Sequence, residues 1–303
     1  MAFPRQVSRI AFAWLTAYCA AALQCQVPPP IKNQAGVRVM VASENADPTL
    51  RIAVPGYAEA DGAFQVIFPE HVTVRARGQA EGKHVYLWQP ERAGSAPAWT
   101  ATKNSLAYER DLEGGIHMLA RATVEDDSVL FHYEFENRSD VEYEMVYAPT
   151  DPRLTGIFHD VRLERTFVHH ARGWELLASE TPQRLTMPLS EWLPARYMAS
   201  YTWAVPALLK EKRADGITYF NKSRAADEPM VATMSSDGKW VAASFTRTVG
   251  NVWSNPELTC QHVDPTPPLP AHGKAVVEVE MLILRGGLDD ALRKVIEQRD
   301  SLH

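Results

Sequence analysis

Three reactive side chains stand at alternate positions late in the chain: Cys260, His262 and Asp264, inside the turn-rich run from Asn251 to Pro265. In an extended segment residues two apart point to one face, so a thiol, an imidazole and a carboxylate would share one polar pocket. An imidazole oriented by a carboxylate suits proton transfer near neutral pH. His262 and Asp264 are therefore the expected acid–base pair. The same three side chains, joined by His159 or His170, could also act as zinc ligands. No Cys-x-x-Cys or His-Glu-x-x-His spacing accompanies them, and the expectation is a site with no metal and no cofactor.

A second polar cluster runs from His159 to Arg172. Alternation along an expected strand, Val161 to Val168, puts Asp160, Arg162 and Glu164 on one face. A planar guanidinium forms paired hydrogen bonds, which makes Arg162 a candidate grip for a hydroxyl or carboxylate. Arg165 is the candidate cation for an anion developing during reaction. His159 joins the binding set. His169 and His170 are adjacent and point apart, so one of them serves a common pocket, and His170 is taken as that one. Trp203 and Trp253 are the indoles expected at a groove, and Arg196 is expected on a loop, Glu191 to Arg196, lying over a sheet.

These side chains need a scaffold, and period-two alternation supplies it. Ile116 to Val124 alternates Ile116, Met118, Ala120, Ala122 and Val124 with polar neighbours, and Val129, Phe131, Tyr133 and Phe135 repeat the pattern after an acidic turn. The pair reads as an antiparallel hairpin, and Val141 to Tyr147 as a third strand completing a meander. Further strands are expected at Val37–Ala42, Phe64–Phe68, Val72–Arg77, Val85–Trp88, Tyr197–Val205, Met230–Ser235, Trp240–Thr246 and Ala275–Leu284. In the last of these, Glu278 and Glu280 oppose the apolar face. One helical pattern is strong: Leu288, Ala291, Leu292, Val295 and Ile296 line one side of Leu288 to Arg299. It is expected on a sheet edge. Many strands, frequent turns and no βαβ alternation give an all-β fold of stacked antiparallel sheets with a C-terminal helix.

Residues 1–22 read as an export signal: Arg5 and Arg9, an apolar run from Ile10 to Leu23, and small residues at Ala20, Ala21 and Ala22. Residues 23–34, with Pro28, Pro29 and Pro30, read as a linker, and 35–303 as one domain. The expected location is periplasmic or extracellular, with no membrane span once the signal is removed, because the apolar run is shorter than the roughly 20 residues a crossing helix needs. Loss of Arg5 and Arg9 takes the formal charge from −6 to −8, which excludes a nucleic-acid groove. Cys25 and Cys260 remain, and a bridge between them is one alternative to a buried free thiol at Cys260.

The Glu-Phe-Glu-Asn-Arg-Ser-Asp strand end at 134–140, the Cys-Gln-His-Val-Asp-Pro element at 260–265 and the Pro-Ala-His-Gly turn at 270–273 together resemble the galactose mutarotase-like supersandwich proteins, and among them the exported bacterial members. The likeness covers roughly residues 35–290. It implies a broad sheet whose concave face binds a saccharide, in a superfamily that holds aldose mutarotases, epimerases, polysaccharide lyases and noncatalytic domains. Fold does not choose among these. The epimerases' catalytic His and Glu motifs do not align onto this chain. The expected function is saccharide binding with isomerase-like or lyase-like proton transfer, the alternative being a noncatalytic carbohydrate-binding or envelope interaction protein.

Overall fold

A computed structural model describes residues 27–42, 47–85, 87, 97–200, 210–248, 250–263 and 265–303. The strands in its first half are β1 (Ile31–Lys32), β2 (Arg38–Val41), β3 (Thr49–Ala53), β4 (Ala63–Ile67), β5 (Val72–Ala76), β6 (Lys83–Val85), β7 (Thr100–Ala101), β8 (Ser105–Leu112), β9 (Ile116–Val124), β10 (Ser128–Asn137), β11 (Tyr143–Tyr147) and β12 (Asp151–Arg153). Those that follow are β13 (Thr166–His170), β14 (Gly173–Leu176), β15 (Ala195–Ser200), β16 (Glu211–Lys212), β17 (Thr218–Asn221), β18 (Met230–Met234), β19 (Trp240–Phe245), β20 (Asn251–Ser254) and β21 (Lys274–Arg285). A helix at Leu288–Gln298 ends the fold.

The alternating apolar residues dictate the layers. A nine-stranded antiparallel sheet runs β14-β13-β18-β19-β21-β10-β9-β8-β7. Its inner face is made by the positions the period marks: Ile116, Met118, Ala120 and Ala122 on β9, Val129, Phe131, Tyr133 and Phe135 on β10, and Val277, Val279 and Met281 on β21. They share one core with apolar residues of a five-stranded sheet, β1-β2-β3-β4-β12, a three-stranded sheet, β11-β5-β6, and a four-stranded sheet, β16-β17-β15-β20. Stacked, mostly antiparallel sheets with a C-terminal helix are thus the observed architecture, β15 running parallel to β17. Among the described residues no helix is long and apolar enough to cross a membrane.

Four local expectations are corrected. The chain does not continue as a meander after β10. Asn137 turns it, its amide donating to the carbonyls of Val141 (2.7 Å) and Pro270 (3.0 Å) and its Oδ1 accepting from the Ser139 N–H (3.0 Å). β11 then pairs with β5 in a different sheet. Residues 160–165 form a turn rather than a strand, because the Asp160 carboxylate accepts from the N–H groups of Glu164 (2.9 Å) and Arg165 (2.7 Å) and from the Thr166 hydroxyl (2.9 Å). The C-terminal helix covers the face of β18, β19 and β21 rather than a sheet edge: Ala291 and Val295 meet Met230, Ala232, Val241, Ala243 and Leu282. Finally, Ile31 and Lys32, expected in a linker, pair with β2, and Ile31 is buried. Residues 1–26, which hold the expected signal and Cys25, lie outside the described residues.

Candidate functional site

The segment carrying Cys260 and His262 is a strap that sutures two sheets. Cys260 forms an antiparallel bridge with Arg153 of β12, and His262 one with Trp253 of β20, whose two backbone hydrogen bonds measure 3.0 and 3.1 Å. The antiparallel register that sets Cys260 opposite Arg153 sets His262 opposite Asp151. Asp151, Arg153, Cys260 and His262 therefore lie on one face of a short two-stranded ribbon. Between Cys260 and His262, the Gln261 amide turns the other way and is fully buried. It donates to Thr233 Oγ1 (3.0 Å) and the Ala242 carbonyl (3.0 Å) and accepts from the N–H (3.0 Å) and hydroxyl (2.9 Å) of Ser244. Four hydrogen bonds to β18 and β19 thus fix the strap on the large sheet.

Asp151, Cys260 and His262 are each at most 3 % exposed. His262 Nε2 lies 3.4 Å from Asp151 Oδ1, while Arg153 Nε donates to Asp151 Oδ2 at 2.6 Å and its Nη2 reaches Glu70 at 3.3 Å. Burial on its own would raise the Asp151 carboxyl, but the hydrogen bond from His262 and the charges of His262 and Arg153 outweigh it and hold the group below the usual carboxylate range. The half-buried Trp253 indole lies flat on the His262 ring, centroids 3.9 Å apart and planes 6° from parallel, which fixes the imidazole plane. Asn255 Nδ2 donates to Cys260 Sγ at 2.8 Å.

Two further histidines stand beside this cluster. His71, just ahead of β5, lies 4.7 Å from the ring of His84 on β6 and edge-on to Tyr147. His84 Nδ1 is 3.0 Å from Thr73 Oγ1, its partner across the β5–β6 pair. Burial, reinforced by the charges of His84 and His262, pushes His71 down to about 4, so it is a neutral imidazole at neutral pH. Neither histidine is marked in the sequence, since each stands singly and only the folded chain brings His71 to His262 and Asp151, with the exposed His84 behind it.

Next to the cluster a cleft of about 380 Å³ opens over the five-stranded sheet, lined by Arg51, Gln65, Arg153, Thr155 and Leu258 among others. Register explains its floor: Gln65 of β4 is opposite Arg51 of β3 on one side and Arg153 of β12 on the other, so two guanidiniums flank an amide in one row. A larger cavity, about 770 Å³, lies under the C-terminal helix against Trp240 and Ile283. Its Asp127 and Asp290 already pair with Lys294 (2.8 Å) and Arg293 (2.6 Å), and among the described residues no imidazole or thiol lines it. The smaller cleft has paired cations of its own, Arg51 with Glu59 (3.4 Å) and Arg153 with Asp151, and it is Arg153 that joins it to the Asp151–His262 pair.

Of the residues expected from sequence, His262 and Trp253 come together. Asp264 and Trp203 lie outside the described residues, and the carboxylate that meets His262 is Asp151, more than a hundred residues away in the chain. Arg165 donates to the carbonyls of Ile157 (3.1 Å), Met234 (2.7 Å) and His159, and Arg162 to those of Arg184 and Met187 (2.9 Å). Both guanidiniums brace loops. His159 is exposed, with its Nε2 3.3 Å from the Glu257 carbonyl. Arg196 sits on β15 rather than on a loop and contacts the Ala195 carbonyl (3.0 Å). His170 is buried with Nδ1 2.5 Å from the Ala225 carbonyl, among Lys222, Glu175 and Arg224. Burial lowers its pKa, only partly offset by that hydrogen bond. His169 points the other way, to Asp227 at 2.7 Å.

No family model matches the sequence, and no curated protein matches it. Solved galactose mutarotase-like structures are similar to it in layout. A galactose mutarotase related enzyme from Lactobacillus acidophilus is 11 % identical, with 86 % of this chain and 98 % of that one covered and a TM-score of 0.48. Galactose 1-epimerase from the same organism is 11 % identical over 85 % and 94 %, TM-score 0.41. An alpha-N-acetylgalactosaminidase from Bifidobacterium bifidum is 11 % identical over 89 % of this chain and 38 % of that one, TM-score 0.47. At these scores nothing about activity passes from them to this chain.

Proposed function

We propose that this is an exported carbohydrate-binding protein that takes a saccharide in the cleft over β3, β4 and β12, periplasmic or extracellular in location. The observation that carries the reading is the row Arg51, Gln65 and Arg153, joined through the Arg153–Asp151 hydrogen bond to the Asp151–His262 pair. A sugar offers hydroxyls that both donate and accept. Flat guanidinium and amide groups in a row supply donors and one acceptor at fixed spacing, the kind of sparse polar set that orients a ligand. The finer reading is proton transfer of the isomerase or lyase type. In it His262, oriented by Asp151, and the neutral His71 are the groups that can accept a proton from a hydroxyl or an acidic carbon.

The burial of His262 favours a second reading, a noncatalytic module in which the Asp151–His262 pair is structural. Calorimetric titration with neutral sugars, uronic acids and short oligosaccharides tests both. A saccharide that binds wild type and loses at least tenfold in affinity on Gln65→Ala and on Arg51→Ala supports the cleft. Absence of binding across the panel counts against it. With a ligand in hand, His262→Ala that binds but no longer turns it over marks an enzyme, whereas wild type without turnover marks the module.

A further inference from the structure

The ribbon of β12 and the strap does more than hold a proton-transfer pair. We infer that Asp151, Cys260 and His262 form a binding site for a single zinc-class divalent ion. This rests on their geometry alone and not on the saccharide reading. The ligating atoms of the three side chains all lie within 4.8 Å of one another, and all three residues are buried. In a tetrahedral zinc site, with bonds of about 2.0–2.3 Å to nitrogen, oxygen and sulfur, donor atoms stand roughly 3.3–3.8 Å apart. The His262–Asp151 separation of 3.4 Å already has that value, and the Cys260 sulfur stands within 4.8 Å of the other two ligating atoms.

The surroundings point the same way, because each donor is held from outside. Arg153 occupies Asp151 Oδ2 and leaves Oδ1 to face His262. Asn255 donates to the Cys260 sulfur. Trp253 fixes the plane of the His262 ring, and Gln261 locks the backbone between the two strap ligands. Outer partners of this kind orient metal ligands and tune their basicity. Charge also balances: a carboxylate and a thiolate neutralise a dication, the thiol proton leaves to solvent on binding, and Arg153 keeps Glu70 as its partner. A mixed sulfur, nitrogen and oxygen set selects zinc over the hard cations calcium and magnesium. Three protein ligands leave a fourth position for water or a ligand oxygen. With the ion held, His262 is a ligand, and the proton-transfer reading is left with His71 as its acceptor.

The test is titration of the chelator-treated full chain with Co²⁺ and, in competition with a chromophoric chelator, with Zn²⁺, with no saccharide present. Wild type is expected to bind one ion per chain and to show a thiolate-to-cobalt charge-transfer band. Cys260→Ala, shown by circular dichroism to be folded, should lose the band and at least about 100-fold in zinc affinity. Asn255→Ala, which keeps every ligand, should keep the band and lose about 10- to 100-fold. Wild type that binds no stoichiometric zinc, or shows no thiolate band with cobalt, overturns the inference without any variant. So does a Cys260→Ala protein that binds zinc as wild type does. A failed saccharide panel leaves these readouts untouched.

Discussion

Gln261 shows how one residue can matter more than its reactive neighbours. Sequence alternation identified Cys260 and His262 as sharing a face, and they do, but it left the residue between them without a role. Its amide satisfies four buried groups of β18 and β19. Gln261→Leu keeps the volume and strands those partners, each unsatisfied buried polar group costing about 1–3 kcal/mol. A loss of at least about 3 kcal/mol in urea unfolding is expected, together with weakened zinc binding; a change below about 1 kcal/mol would mean the strap is not fastened there. Asp151 belongs to the same scale. Removing one partner of a buried ion pair costs about 3–5 kcal/mol, so Asp151→Ala should destabilise the fold by about that much at pH 7. Its folded-state pKa is depressed, so the stability it contributes is present above the ordinary aspartate range and lost as pH falls through the lower, folded value. The difference between Asp151→Ala and wild type should therefore shrink in strong acid.

At the scale of elements, what was legible followed from half-burial. β9, β10 and β21 show clean alternation because one face meets the core, and the helix shows its stripe for the same reason. What was not legible depends on partners distant in sequence. Nothing around Asp151 marks it as the carboxylate for His262, since the register of β12 with the strap exists only in the folded chain. The charged run at 159–172 looked like binding chemistry because guanidiniums grip oxygens, and the structure gives Arg162 and Arg165 backbone carbonyls to grip instead. The helix position was misplaced for another reason: the outer face of β18, β19 and β21 carries small residues, Ala232 and Ala243, that leave room for it. Val295 is fully buried in that seam. Val295→Ala removes two methyl groups, at a cost of about 2 kcal/mol, and should raise hydrogen exchange in β18 and β19 while leaving β8 and β9 protected. Equal loss of protection in all four strands would show that helix and sheet unfold as one unit.

Across the whole molecule, the C-terminal segment changes the solvent environment of β21, and that has a measurable pH signature. Glu278 and Glu280 sit on the face of β21 opposite the core, where alternation predicts water, yet they are 6 % and 3 % exposed. The last residues reach Glu278: the His303 N–H donates to it at 2.8 Å, and Arg247 holds the Leu302 carbonyl at 3.3 Å. His132 lies 2.7 Å from Glu278. Glu280 accepts from the Ser128 hydroxyl at 2.6 Å and is faced by Glu125 and Asp127 of the β9–β10 turn, the latter paired with Lys294 of the helix. Burial, then the charges of Glu125, Asp127 and Glu278, raise its pKa from 4.5 to about 7 against the opposing Ser128 hydrogen bond. A carboxyl whose folded pKa lies above its unfolded one is held protonated by the fold. Its contribution is complete below about pH 4.5 and is lost as pH rises through about 7, an interval worth about 3 kcal/mol. Glu280→Gln keeps an acceptor for Ser128 and cannot ionise. Its stability in urea should equal that of wild type at pH 4 and exceed it by about 3 kcal/mol at pH 8, with the gap opening between those values. A difference that does not vary with pH would show instead that Glu280 reaches water.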